Sequence, residues 1–188
     1  MMKKLLLLVL PALLARPAAA QLLRPTVGAG TTFRYEFDLH GQHAPFELAI
    51  AGATDTLRLT WRIRGLAGGA YAVSPTAWQQ ADKLNFAQPT PGRTVRLPPD
   101  QTFMLLSKSA FAALVARHRY TYDHTVYELR ADTTAAPLLL GGRPLDVLHV
   151  VAQGDPTELW ILNNPDFPVI CQARHNPLGI DFVLTGIK

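Results

Sequence analysis

The stretch FRYEFDL, residues 33–39, decides the fold predicted for this chain. Phe33, Tyr35, Phe37 and Leu39 alternate with charged residues, so the apolar side chains of an extended backbone all point to one face. Such alternation is typical of an antiparallel strand with one face buried and the other in water. The stretch therefore predicts a sheet with an apolar inner face.

The same pattern continues towards the C-terminus. Residues 57–64, LRLTWRIR, alternate in the same way, and residues 46–51 form a shorter apolar strand between the two. Turn-forming residues at 40–43 and 52–55 separate the three segments. Together they predict a three-stranded meander.

Helical signals occupy the middle of the chain, over about residues 75–116. Ser74 before Pro75 is typical of a helix N-cap followed by the first helical residue. Ser107 is expected to cap a second short helix over residues 108–116. The proline-rich segment 88–101 between them predicts a surface crossing with at most one edge strand.

Strand patterns return after this interlude, at residues 120–130, 144–153, 157–162, 168–174 and 180–187. The predicted fold is mainly β with minor α: a curved antiparallel sheet or half-barrel of about 8–10 strands, with one or two short helices packed against it.

The last third also carries a family resemblance. A strand containing Trp160 is followed by the turn 163–166, by a strand that opens at Pro168, and by Gly179 before the final strand. This order resembles the end of DUF3108, an exported bacterial family of unknown function, over about residues 100–188. The resemblance implies a half-barrel related to the periplasmic lipoprotein carriers, and it implies no activity.

The first twenty residues have the layout of a secretory signal peptide. Lys3 and Lys4 precede an apolar run over residues 5–14, and Ala18 to Ala20 offer small residues for cleavage. The apolar run is shorter than the roughly 20 residues that span a bilayer. We expect residues 1–20 to be removed and residues 21–188 to work as one domain in the periplasm or the medium, without a transmembrane anchor.

Charge and cysteine content limit the partners. Three of the eighteen basic residues lie in the first twenty, which leaves fifteen basic against fourteen acidic residues and a formal net charge of +1. No basic run remains, so no nucleic-acid partner is expected. Cys171 is the single cysteine, which excludes an intramolecular disulfide. It is expected to be a small buried side chain that shares a strand face with Val169 and Ala173.

Several titratable residues lie close together in the sequence. His40 and His43 lie three apart in a turn, but two ligands do not make a metal site. His118, Asp123 and His124 form the densest titratable cluster, although neighbours on a strand point to opposite faces. No metal or cofactor is predicted.

Two further groups have structural interpretations. Ser107 and Ser109 lie outside a nucleophile elbow, and Ser107 is better explained as a helix cap. Asp146 and His149 are three apart on a predicted strand and should face opposite sides. His149 falls among Leu145, Val147 and Val151 on the apolar face, so it is expected to be a hydrogen-bonded core histidine.

The apolar strand faces carry the functional prediction. If the short helices fill only part of a curved sheet, some of its concave face remains for a lipid or an acyl chain. The residues predicted to line that face are Phe33, Tyr35, Phe37, Trp61, Trp160 and Phe182.

We therefore expect an exported, non-enzymatic envelope protein that binds an apolar small molecule or an envelope protein partner. Two alternatives stay open. One is a secreted hydrolase that uses His118 or His124, and the other is a structural interaction module that pairs through a sheet edge.

Overall fold

Strands dominate the computed structural model, which describes residues 21–63, 68–85, 90–130 and 137–188. The first strands and helix are β1 (Thr32–Leu39), β2 (Gln42–Ala53), β3 (Leu57–Ile63), β4 (Gly69–Val73) and α1 (Pro75–Gln80). They are followed by β5 (Lys83–Leu84), β6 (Thr94–Arg96), β7 (Gln101–Thr102), α2 (Lys108–Arg117), β8 (Arg119–Tyr122) and β9 (Thr125–Leu129). The remaining strands are β10 (Leu139–Leu140), β11 (Arg143–Pro144), β12 (Val147–Ala152), β13 (Glu158–Leu162), β14 (Ile170–Arg174) and β15 (Ile180–Ile187).

Among the described residues, eleven strands form one sheet, in the order β6-β4-β3-β2-β1-β15-β14-β13-β12-β9-β8. The predicted meander forms β1, β2 and β3, and β15 returns to pair with β1. Neighbours are antiparallel except β4 and β6. The sheet is open, with β6 and β8 as its end strands. The prediction of a mainly β fold with minor α is confirmed.

Two apolar cores lie on the sheet. The first packs the alternating residues of β1 to β4 against side chains of the C-terminal strands. The second packs the apolar face of α2 against β8 and β12 to β14. On β13, Leu159 and Ile161 belong to the second core, while Trp160 and Leu162 belong to the first. This strand is therefore buried on both faces.

The interlude contains both predicted helices, and the capping residues are confirmed. The Ser74 hydroxyl accepts the N–H of Ala77 at 3.1 Å, and the Ser107 hydroxyl accepts that of Ala110 at 3.3 Å. Strands β5, β6 and β7 lie between the helices, so the interlude is less helical than its length suggests. The proline-rich crossing holds β6, a three-residue strand at the sheet edge.

The predicted face of Cys171 is wrong in one respect. Cys171 is fully buried and packs in the first core with Val169, but Ala173 packs in the second core. The pairing of β13 with β14 shifts register between Trp160 and Ile161. Such a bulge puts an extra residue into one strand and interrupts the simple alternation.

No helix in the described part of the chain is long and apolar enough to cross a membrane.

A buried polar network joins the two helices to β8. The Ser107 hydroxyl donates to the carbonyl oxygen of Ala81, directly after α1, at 2.6 Å. The backbone N–H of Ser107 donates to the Tyr122 hydroxyl at 3.0 Å, and this hydroxyl also contacts that of Thr102 at 3.0 Å. Ser107 thus both caps α2 and binds the end of α1.

We predict that Ser107→Ala lowers the free energy of unfolding by about 1–3 kcal/mol, because it removes the cap and leaves the Ala81 carbonyl unpaired. Denaturant titration followed by circular dichroism measures this. Ser109→Ala is the control: Ser109 is exposed, and the variant removes one hydroxyl that lies 3.3 Å from that of Ser107, so its effect should stay below about 1 kcal/mol. Equal losses in the two variants would contradict the prediction.

Candidate functional site

Four of the six residues predicted to line an apolar site lie in the closed interior. Phe33, Tyr35, Trp61 and Trp160 are between 0% and 4% exposed. The Tyr35 hydroxyl donates to the carbonyl oxygen of Ile170 at 3.2 Å, which satisfies its polar end inside the core. Around these four side chains, the face is therefore packed core.

The other two predicted residues are only half-buried. The Phe37 ring stacks on that of Phe182 with 4.9 Å between ring centroids, and it lies 5.0 Å from the ring of Phe46. The ring centroid of Phe46 lies 6.3 Å from that of Phe103, and the Phe103 centroid lies 4.4 Å from that of Tyr71. A continuous line of aromatic rings thus runs from the surface into the first core.

The apolar face continues past these rings to the ends of β1 and β15. Phe37 pairs with Phe182, and Leu39 pairs with Ile180. Leu39 is 38% exposed, and Phe182 and Ile180 are partly exposed. We call Phe37, Leu39, Ile180 and Phe182 the aromatic rim. Sequence alternation places Leu39 and Ile180 on this face, but their exposure follows only from where the core ends.

Two turns hold the rim in place. The turn between β1 and β2 carries His40 at φ 53° and Gly41 at φ 85°, and the Gly41 N–H donates to the Asp38 carboxylate at 2.6 Å. The His40 N–H donates to the carbonyl oxygen of Gly179 at 3.0 Å. Gly179 has φ 67°, and a Cβ there would overlap the His40 imidazole. This position therefore requires glycine.

The histidine pair lies beside the rim. His40 belongs to the turn, and His43 is exposed on β2. Among the residues that the structure describes, no three His, Cys, Asp or Glu side chains are placed to hold a metal ion.

Asp123 and His124 form a hairpin turn, not a strand. Both have positive φ, 50° and 64°, as a type I′ turn between β8 and β9 requires. The Asp123 carboxylate accepts the N–H of Leu84 at 3.0 Å, and burial raises its pKa. His118 is the left-handed C-cap of α2. Each of the three residues therefore has a local structural role.

Asp146 and His149 bind different partners. The Asp146 carboxylate binds Arg24 at 2.6 Å and Asn163 at 3.2 Å. The His149 Nε2 lies 2.7 Å from Glu158 Oε2, and its ring stacks on Trp160 at 4.1 Å. His149 is the hydrogen-bonded, largely buried histidine that the sequence predicts.

Cys171 is enclosed, and burial raises the pKa of its thiol far above its ordinary value. We predict that the native chain reacts with a thiol reagent at least about a hundredfold more slowly than the denatured chain, since the thiolate is the nucleophile. Absorbance with a disulfide reagent measures both rates. Equal rates would show that Cys171 is accessible.

Three tyrosines pack on the β8–β9 hairpin. Tyr127 stacks on Tyr120 at 5.1 Å, and Tyr120 lies 5.9 Å from Tyr122. Burial is the main cause that raises the pKa of Tyr127 from 10.0 to about 12. The neutral form is therefore favoured in the folded chain.

Stability should consequently fall between pH 10 and about pH 12. In this window the unfolded chain releases the Tyr127 proton and the folded chain keeps it, so rising pH favours unfolding. We predict that Tyr127→Phe makes this decline shallower in urea titrations across the window. An unchanged slope would contradict the assignment.

No protein-family profile, curated protein or solved structure matches this chain.

Proposed function

We propose that this chain is an exported, non-enzymatic protein that binds an apolar ligand, a lipid or an acyl chain, at the aromatic rim. The supporting observation is the stack of Phe37 on Phe182, half-buried at the open end of the first core. The ligand would lie against this stack and against Leu39, which is 38% exposed.

Rigidity and partial exposure of the rim both favour binding. The inner end of the ring line is buried, so Phe37 and Phe182 are held by packing before any ligand arrives. A preformed apolar surface loses little conformational entropy on binding. Each additional Å² of apolar surface removed from water contributes roughly 25 cal/mol.

Export is the sequence-based part of the proposal. It rests on the layout of residues 1–20, which lie outside the described residues, and on the resemblance to DUF3108. An envelope protein that presents an apolar segment would use the same rim. The hydrolase and the sheet-edge module remain alternative predictions.

The first test is mass spectrometry of small molecules released from natively purified protein. We expect a co-purified lipid or fatty acid. A delipidated sample should then bind a fluorescent fatty acid. Protein that carries no lipid and does not bind the probe would refute the proposal.

The second test places a charge on the rim. Leu39→Lys should weaken fatty-acid binding at least about tenfold, because the ammonium group would be desolvated against the acyl chain. Leu139→Lys is the matched control, since Leu139 is 52% exposed on β10 and outside the rim. Equal affinities of the two variants, with unchanged thermal unfolding midpoints, would exclude the rim as the site.

A further inference from the structure

The face of β1 to β4 opposite the first core carries a straight row of small side chains. Thr32 pairs with Ala49, Ala49 with Thr60, Thr60 with Ala70, and Ala70 with Thr94. We call this row the trough. It crosses five strands, β1, β2, β3, β4 and β6, and with strands about 4.8 Å apart it is about 19 Å long.

Arginines border the trough on both sides. Arg62 lies two residues from Thr60 along β3, on one side of the trough. It pairs with Glu47, which in turn pairs with Arg34. Arg58 lies two residues from Thr60 in the other direction, on the opposite side of the trough. It pairs with Ala72, which in turn pairs with Arg96. Because Arg58 and Arg62 are four residues apart on one strand, their Cα atoms are about 13 Å apart.

A glycine widens the trough beside Arg62. Gly69 pairs with Trp61, so continuing this register by one residue puts Gly68 opposite Arg62, on the face of the trough. A Cβ on Gly68 would overlap the backbone carbonyl oxygen of Trp61, so this position carries no side chain. A cavity of about 520 Å³ lies here, lined by Arg58, Arg62, Arg93, Thr32, Thr60 and Thr94 among others.

The charges of the cavity do not cancel. The carboxylate in the described lining belongs to Glu47, and it forms an ion pair with the Arg34 guanidinium at 3.2 Å. Within the described ranges, no carboxylate forms an ion pair with Arg58, Arg62 or Arg93. All three are exposed, and each guanidinium carries planar donors suited to an oxyanion.

We propose that the trough binds an acidic oligosaccharide, a chain of sugars bearing carboxylate or sulfate groups. Arg58, Arg62 and Arg93 pair with its charged groups, and the hydroxyls of Thr32, Thr60 and Thr94 bind its sugar hydroxyls. This site is on the opposite face from the aromatic rim and is independent of the function proposed there.

The geometry favours a chain over a single small anion. The trough is about 19 Å long, far longer than one oxyanion, and its arginines are spread over both sides, so a chain lying along it can pair with more of them than a single oxyanion can. A single-stranded nucleic acid would need exposed rings for its bases to stack on. Trp61, the aromatic residue in the described lining, is 3% exposed and belongs to the first core.

The test is calorimetric titration of the full chain with three probes. These are a heparin-derived tetrasaccharide, the neutral maltotetraose and inorganic sulfate. We expect the sulfated tetrasaccharide to bind, with an affinity that falls as ionic strength rises, and the other two to bind at least about tenfold more weakly. Sulfate binding as tight as that of the tetrasaccharide would replace the proposal with a simple anion site.

Variants locate the binding. Arg58→Ala combined with Arg62→Ala should weaken tetrasaccharide binding at least about tenfold. Arg143→Ala, at an exposed arginine on β11 outside the trough, is the control and should bind as the unmodified chain does. Arg58→Ala and Arg62→Ala made singly lose the same one charge as this control and should bind more weakly than it. Ala49→Leu keeps every charge but fills the trough floor, and it should also weaken binding.

Three further results would contradict the proposal. Equal weakening by Arg143→Ala would show that binding is non-specific, and full affinity in Ala49→Leu would place the ligand outside the trough. Absence of binding by the unmodified chain would refute the proposal. None of these outcomes bears on fatty-acid binding at the rim.

Discussion

The burial of β13 on both faces is the constraint on which the rest of the structure depends. At one end of the sheet the apolar side chains of β1 to β4 face one side, and at the other end α2 covers the opposite side. These two arrangements meet at β13, where Trp160 packs into one core and Ile161 into the other. The pairing of β13 with β14 shifts register between these two residues, and β14 in turn contributes side chains to both cores.

The same arrangement explains why the aromatic rim is apolar and the trough on the opposite face is polar and charged. The first core closes over Phe33 and Tyr35 but ends before Leu39, so β1 has a buried part and an apolar rim. The opposite face of β1 to β4 has no helix over it among the described elements. It carries short and charged side chains in register, and these form the trough.

Local sequence patterns were enough to predict the strands of the meander, the two helix caps and the mainly β class. Alternation around Phe33 and capping by Ser107 depend on neighbours within a few residues. Alternation predicts that Phe33 and Phe37 share one face of β1, but whether Phe33 is enclosed and Phe37 half-exposed depends on where distant strands end. The bulge at Cys171 and the turn at Asp123 likewise depend on pairing partners. The trough is a property of the register of five strands, so Thr60 and Ala70 carry no signal of their own.

The pairing of β1 with β15 has a kinetic consequence. Phe33 pairs with Ile187, so a strand near the start of the sheet-forming sequence finds its partner about 150 residues later. Contacts of such high sequence separation slow folding, because the entropy of closing a long loop is lost before the contacts form. Until β15 has been synthesised, β1 keeps an unpaired edge and the first core lacks Leu184 and Phe182. The pairing of β1, and with it the first core, can therefore be completed only after β15 has been synthesised.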